Sequence, residues 1–253
     1  MRRNIVITGA SAGLGMGMAR EFAAKGHNLA LCARRTERLV RLRDELLATH
    51  PEITVVIRQL DVTEHDEVFA AFGEFTEQLG VLDRIIVNAG LGKGQPLGTG
   101  YFYANKQTAE TNFVAALAQC EAAMAVFREQ RDGHLVMISS ISALRGLPGT
   151  ITTYAATKAG VASLAEGIRA ETLGKSARGT SIKVSTVYPG YIRSEMNEKL
   201  PRTPLVVSLE KGCRALVKAI DREPARAYVP AWPWTVLGAL LRVVPLRLIA
   251  RFA

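Results

Sequence analysis

The stretch that most constrains this chain is Asn4-Ile-Val-Ile-Thr8 running directly into Gly9-Ala-Ser-Ala-Gly13-Leu-Gly15. A short apolar run, a glycine-spaced turn and a helical pattern over residues 16–25 together read as a strand–turn–helix unit. Turns collect glycine for many reasons. In this context, however, glycine lets the backbone come close to a pyrophosphate, and the helix N-terminus offers free N–H groups at a positive dipole end. The spacing is Gly-x-x-x-Gly-x-Gly rather than Gly-x-Gly-x-x-Gly.

The pattern then repeats. A strand over 28–33 is followed by a helix over 36–49, a strand over 53–57 with Asp61 and Val62 just beyond it, a helix over 64–79, and a strand over 84–87 capped by Asn88-Ala89-Gly90. Strands alternating with helices predict parallel βαβ units with right-handed crossovers, hence an α/β fold built on a doubly wound parallel sheet. Ligands of such sheets lie across the carboxyl ends of the strands. The glycine turn, Ala33-Arg34, Asp61 and Asn88–Gly90 all fall on that edge. An enzyme using NAD carries an acidic residue at the end of the second strand, to bond the ribose 2′-hydroxyl. Here Ala33 holds that place and Arg34 and Arg35 follow, with planar forks suited to a 2′-phosphate, so NADP(H) is favoured over NAD(H). A solvated arginine pair opening the next helix is the alternative.

Residues 91–103 are Gly-rich and then aromatic, and read as a loop on the same edge; Tyr101, Phe102 and Tyr103 either line a substrate entrance or anchor that loop. A long helix over 105–130 carries Asn112, and a strand over 134–139 runs into Ser140 and Ser142. The Ala-rich helix beginning near Thr152 places Tyr154 and Lys158 on one face, one turn apart. A free phenol has a pKa near ~10; a neighbouring ammonium favours the phenolate and makes tyrosine a usable acid or base. The last strand of the pattern covers 181–187, and the polar, Pro-bearing stretch 195–207 suits a mobile lid. Residues 1–195 then form a dinucleotide-binding and catalytic core, and 196–253 a lid and apolar C-terminal extension of the same domain.

Taken together, Thr8-Gly-Ala-Ser-Ala-Gly-Leu-Gly15, Asn88-Ala-Gly90, Asn112, Ile138-Ser-Ser140, Tyr154-x-x-x-Lys158 and Pro189-Gly190 resemble the short-chain dehydrogenase/reductases, in that family's order and near its spacings, over residues 1 to about 195. The resemblance implies a Rossmann fold. It implies that Tyr154 is the general acid or base, that Ser140 orients the carbonyl oxygen, that Lys158 lowers the tyrosine pKa and holds the nicotinamide ribose, and that Asn112 anchors a proton-relaying water chain. On the same footing Gly9, Ser11, Gly13, Leu14 and Gly15 hold the cofactor phosphates. Asp61 and Val62 meet the adenine, Asn88, Ala89 and Gly90 the adenosine side, and Ile192 and Ser194 the carboxamide end, beside Pro189 and Gly190. Ser140 lies one residue farther from the tyrosine than the family's usual spacing, which keeps Ser142 as the second candidate. The expected reaction interconverts a ketone or aldehyde and an alcohol, in a homodimer or homotetramer. A cofactor-binding relative acting as a redox sensor or scaffold is the alternative, and its expected mark is a damaged catalytic set.

Composition narrows the rest. Cys32, Cys120 and Cys213 lie far apart and odd in number, and four scattered histidines show no metal-ligand spacing. A reducing, cytoplasmic setting and no metal are expected. The net charge of +9 admits nucleic acid, an anionic membrane or phosphate-bearing ligands, but no interleaved aromatic and basic pattern supports nucleic acid. Both tryptophans sit in Tyr228-Val-Pro-Ala-Trp-Pro-Trp234, ahead of apolar helical runs punctuated by Arg242, Arg247 and Arg251. This end of the chain packs on the substrate pocket or a partner subunit, meets the inner face of a membrane peripherally through 228–253, or stays disordered. The first two readings both fit an apolar substrate.

Overall fold

The structure, a computed structural model, describes residues 2–174, 178–197 and 205–250. Its centre is a seven-stranded sheet in the order β3-β2-β1-β4-β5-β6-β7, parallel at every pairing. The strands are β1 (Asn4–Thr8), β2 (Asn28–Ala33), β3 (Val55–Gln59), β4 (Arg84–Val87), β5 (Asp132–Ile138), β6 (Ser181–Pro189) and β7 (Arg226–Val229). The central ones are runs of Ile, Val and Leu without alternation because both faces are covered, as parallel sheets require. On one face α1 (Gly13–Ala23), α2 (Thr36–Thr49) and α7 (Leu209–Ile220) bury Phe22, Leu39 and Leu216 against the sheet. On the other, α3 (His65–Leu79), α5 (Ala115–Gln130) and α6 (Thr152–Leu173) bury Phe72, Phe127 and Val161. The strand order reverses between β1 and β4, which opens a crevice at their carboxyl ends.

The doubly wound parallel sheet is as the alternation predicts, with local differences. β3 begins two residues later than its apolar stretch suggests, because pairing with β2 runs from Leu29 and Val55 out to Ala33 and Gln59. Its polar end lies on an edge strand, where hydrophobicity is a poor guide to the ladder. β7 has no counterpart in the sequence pattern. It is four residues long, only its last is buried, and Pro224 and Pro230 bracket it, so neither length nor periodicity marks it. The predicted helix 105–130 is instead α4 (Phe102–Ala109), a π-helical turn (Glu110–Val114) and α5 in succession. Tyr101, Phe102 and Tyr103 are exposed at the start of α4, so they do not anchor the loop. Of the predicted lid, Glu195–Asn197 form a 3-10 turn and Val207 bridges to Ile192, while 198–204 lie outside the described residues. After α7 the chain makes β7, α8 (Ala231–Val243) and α9 (Leu246–Ile249). Among the described residues no helix is long and apolar enough to cross a membrane.

The amino ends of the strands are tied by a buried polar chain. Arg84, 2% exposed, donates through Nε to His134 Nδ1 at 2.9 Å and pairs with Asp221 at 2.9 Å. A guanidinium only donates, so Nδ1 must accept and the imidazole proton sits on Nε2. That N–H donates to Ser185 Oγ at 2.8 Å, and the Ser185 hydroxyl donates to the Pro224 carbonyl. Burial, then the Arg84 and Arg2 charges, push His134 down to about 2. Burial also lowers His27. An unfolded imidazole titrates near ~6.5, so on acidification the unfolded chain takes up protons that these folded histidines refuse. Their contribution to stability is therefore full above that value and is lost as pH falls below it. Unfolding in urea at pH 7.5 and 5.5 should show a loss of about 1 kcal/mol from His134, and His134→Gln should lose less than wild type on the same pH step.

Candidate active site

The crevice between β1 and β4 is built from backbone contacts. Thr8 Oγ1 accepts the N–H groups of Asn88 and Ala89, both at 3.1 Å, and Asn88 Nδ2 donates to the Thr8 carbonyl at 2.9 Å. Gly9 has a φ of +66°, and a Cβ there would stand 2.9 Å from Ala89 Cα. Both the left-handed backbone and the close approach of the two strand ends demand glycine. Gly15 lies under the turn, where a Cβ would come within 2.4 Å of the Gly9 carbonyl oxygen. It shapes the turn rather than lining the space above it.

That space is a cleft of about 310 Å³. Gly9, Ser11, Gly13 and Leu14 form its glycine-turn wall, and Arg34, Arg35, Asp61 and Val62 close one end. Asn88, Ala89 and Gly90 form the opposite wall, and Ser140, Tyr154 and Lys158 lie at the other end with Pro189, Gly190, Ile192 and Ser194. At the basic end Arg35 Nε donates to Ser11 Oγ at 3.2 Å, and Arg34 stands 3.8 Å from Asp61. Arg38, in the first turn of α2, was not singled out by the sequence pattern as a site residue. It shares the carboxylate of Glu195 with Arg35. The Arg38 hydrogen bond above all, then Arg35, holds the Glu195 carboxyl below its ordinary range.

At the other end the candidate catalytic residues come from two elements. β5 delivers Ser140, whose Oγ accepts from Ser142 N at 3.2 Å and from Ser142 Oγ at 2.9 Å, and which hydrogen-bonds to Tyr154. Of the two candidate serines it is thus Ser140 that meets the phenol, with Ser142 behind it. α6 delivers Tyr154 and, one turn later, Lys158, which is 5% exposed. Ser139, which sequence reasoning passed over, fastens that helix to the strand end by donating to the Lys158 carbonyl at 2.7 Å. Lys158 Nζ donates to the Ile138 carbonyl at 2.9 Å and lies 5.9 Å from the centre of the Tyr154 ring. Burial pulls the lysine down to about 8. The expectation that Lys158 depresses the tyrosine is not met in this arrangement. Burial raises the phenol, and the Ser140 hydrogen bond is what opposes it.

Asn112 sits behind the cleft, in the π-helical turn. Its Oδ1 accepts Leu91 N–H at 2.7 Å and its Nδ2 donates to the Leu91 carbonyl at 2.8 Å. It braces the loop after β4 as a backbone strand would. The extra residue of a π turn re-aims a side chain without ending the helix, and such turns collect at functional sites. A Cβ on Gly90 would lie 3.1 Å from Asn112 Oδ1 and 3.5 Å from Lys158 Nζ, so this glycine keeps the lysine and the asparagine close.

The residues fit an elongated, phosphate-bearing dinucleotide: guanidiniums at one end, side-chain-free backbone at a helix N-terminus in the middle, and a phenol–ammonium pair at the other end. The comparisons agree with this geometry. The family model described as short chain dehydrogenase matches residues 3–204. The chain is 52% identical over 252 residues to an uncharacterized oxidoreductase of Mycobacterium tuberculosis, covering 100% of this chain and 98% of that one. Among solved structures it resembles a short chain dehydrogenase/reductase from Burkholderia phymatum in complex with NAD, with TM-score 0.81, 21% identity, and 95% and 92% of the two chains covered. It also resembles an alcohol dehydrogenase from the archaeon Thermococcus sibiricus complexed with 5-hydroxy-NADP, with TM-score 0.76, 23% identity, and 89% and 95% covered. The chain belongs to the short-chain dehydrogenase/reductase family of oxidoreductases.

The buried lysine has a measurable cost. Its pKa of about 8 lies below the ordinary 10.5, so between those values the unfolded chain holds the proton more tightly, and stability rises as pH climbs through that window. Lys158→Met should therefore raise stability at pH 7 by about 1–3 kcal/mol in the cofactor-free protein and remove the alkaline rise. Thermal unfolding at pH 7 and pH 9.5 checks both.

Proposed function

We propose that this chain is an NADP(H)-dependent oxidoreductase that interconverts a ketone or aldehyde and an alcohol, on a substrate that is apolar or lipid-like. The observation that carries this reading is the meeting of Ser140, Tyr154 and Lys158 at one end of the cleft whose other end is lined by Arg34 and Arg35. NADP(H), when bound, supplies or accepts the hydride. Gly9, Ser11, Gly13 and Leu14 would hold its phosphates through backbone and hydroxyl groups, and Lys158 its nicotinamide ribose.

The chain's own residues then manage the proton. The Tyr154 hydroxyl donates to a substrate carbonyl oxygen during reduction and takes the proton back during oxidation. Ser140 donates to the same oxygen and holds it beside the phenol. The Ser140 hydrogen bond, which opposes the effect of burial on the phenol, also favours the phenolate that reduction leaves behind. Asn112 holds the loop after β4 against α6, and so keeps the cleft's inner wall in register with the phenol. Positioned proton transfer contributes roughly 10²–10⁴-fold. Tyr154→Phe should lower kcat by that order while leaving the NADPH dissociation constant within about twofold of wild type. Turnover retained near wild type by this variant would remove tyrosine from the mechanism.

Cofactor choice rests on the arginines. Arg35 and Arg38 hold a carboxylate, that of Glu195, in the way they would hold a 2′-phosphate. Fluorescence titration should give tighter binding of NADPH than of NADH, and Arg34→Ala/Arg35→Ala should erase the difference by weakening NADPH about tenfold or more. Glu195→Gln frees both guanidiniums and should tighten NADPH but not NADH. Equal affinities for the two cofactors in wild type would overturn the NADP(H) preference, and binding of neither would overturn the dinucleotide reading of the cleft.

A further inference from the structure

The C-terminal helices have two apolar faces. The inner face of α8 is seated on the active-site loops. Trp234, 5% exposed, covers Gly190 so closely that a Cβ there would fall 2.1 Å from its Nε1. Gly238 lies against Leu144 and Ile141, and Arg145 donates to the Val244 carbonyl at 3.1 Å, pinning the end of the helix. Among the described residues the outer face has no such seat. Trp232, Val236, Leu240 and Val243 on α8 are 52–76% exposed, and Leu246 at the start of α9 is 62% exposed.

Charge distinguishes the occupants this face could take. Residues 224–253 contain no Asp or Glu and four arginines, at 226, 242, 247 and 251. Arg226 is engaged by Glu166, whereas Arg242 and Arg247 are exposed beside the apolar stripe. A two-fold contact with a second copy would bring the same basic, acid-free stretch to both sides of the contact. An anionic headgroup layer supplies the missing negative charge, and the acyl boundary supplies a home for the leucines, valines and tryptophan. Position agrees with chemistry. α8 issues from the carboxyl end of β7, the same edge of the sheet on which the cleft opens. The exposed Tyr101, Phe102 and Tyr103, which follow β4, issue from that edge as well.

We propose that the outer face of α8 and α9 is a docking surface for an anionic lipid bilayer, with Trp232, Val236, Leu240, Val243 and Leu246 entering the acyl boundary and Arg242 and Arg247 meeting the headgroups. The surface is distinct from the cofactor cleft. The chain lies on the membrane without spanning it, and its inner α8 face carries the active-site loops to the lipid surface.

The test is partition of the full chain onto vesicles, by co-sedimentation, using phosphatidylcholine alone and phosphatidylcholine with 30% phosphatidylglycerol. Wild type should partition at least tenfold better onto the anionic vesicles at 50 mM salt than onto the neutral ones, and lose most of that preference at 500 mM salt. Val236→Ser/Leu240→Ser/Val243→Ser should reduce partition about tenfold or more while keeping the wild-type circular dichroism spectrum and thermal transition, which shows the fold intact. Arg242→Gln/Arg247→Gln should remove the anionic preference and leave the weak neutral partition. Absence of wild-type partition onto anionic vesicles at low salt overturns the proposal. Unchanged partition of the serine variant also overturns it. A wild-type dimer in light scattering that the serine variant converts to monomer assigns the face to a second copy and overturns it too. Because NADPH titration and vesicle partition are separate readings, failure of one leaves the other standing.

Discussion

Everything at the active edge depends on two strand ends being held closer than side chains normally permit. Thr8 gathers the amides of Asn88 and Ala89 onto one hydroxyl, and its own carbonyl is taken by Asn88. The contact makes a crevice where the strand order reverses, and it explains why glycine stands at position 9 and again beneath it at 15. With the two ends clamped, the glycine turn faces the loop after β4, and α1 presents its N-terminus to the space between them. Removing the Thr8 hydroxyl would leave two half-buried donors short of an acceptor, a larger loss than its size suggests.

The second constraint is a charge kept out of water. Lys158 is buried against the Ile138 carbonyl, and burial shifts it toward neutrality. The fold tolerates this unfavourable placement because the surrounding ties are numerous: Ser139 to the helix carbonyl, Thr157 to Asn112, and Asn112 to both backbone groups of Leu91. The half-buried tyrosine beside it is raised by the same cause. Such a pair is responsive, because any change in local charge is felt at low effective dielectric.

Much of this was legible in the sequence, for definite reasons. The parallel sheet announced itself because its central strands are buried on both faces and cannot alternate. Most of the cleft residues were legible because they follow strand ends, and Tyr154 and Lys158 because four residues separate them on a helix-prone run. The parts that stayed hidden depend on contacts remote in the chain. β7 is four residues at an edge, and the seat of Trp234 on Gly190 joins residues far apart in sequence. The π-helical turn at Asn112 has no signature in periodicity, since one extra residue in a long apolar helix changes the pattern by less than the pattern's own scatter. The acidity of Tyr154 was read from the charge of its neighbour Lys158, whereas burial dominates both groups, and burial is a property of the fold.

Gly190 ties the active-site loop after β6 to α8. The indole of Trp234 fills the volume that any side chain at 190 would need. The two segments have therefore to be inherited as a matched pair. In chimaeras among relatives of this chain, a C-terminal helix transplanted without its own 188–194 loop would arrive with the wrong shape for the glycine notch. The natural seam for recombination lies before β6 rather than after it.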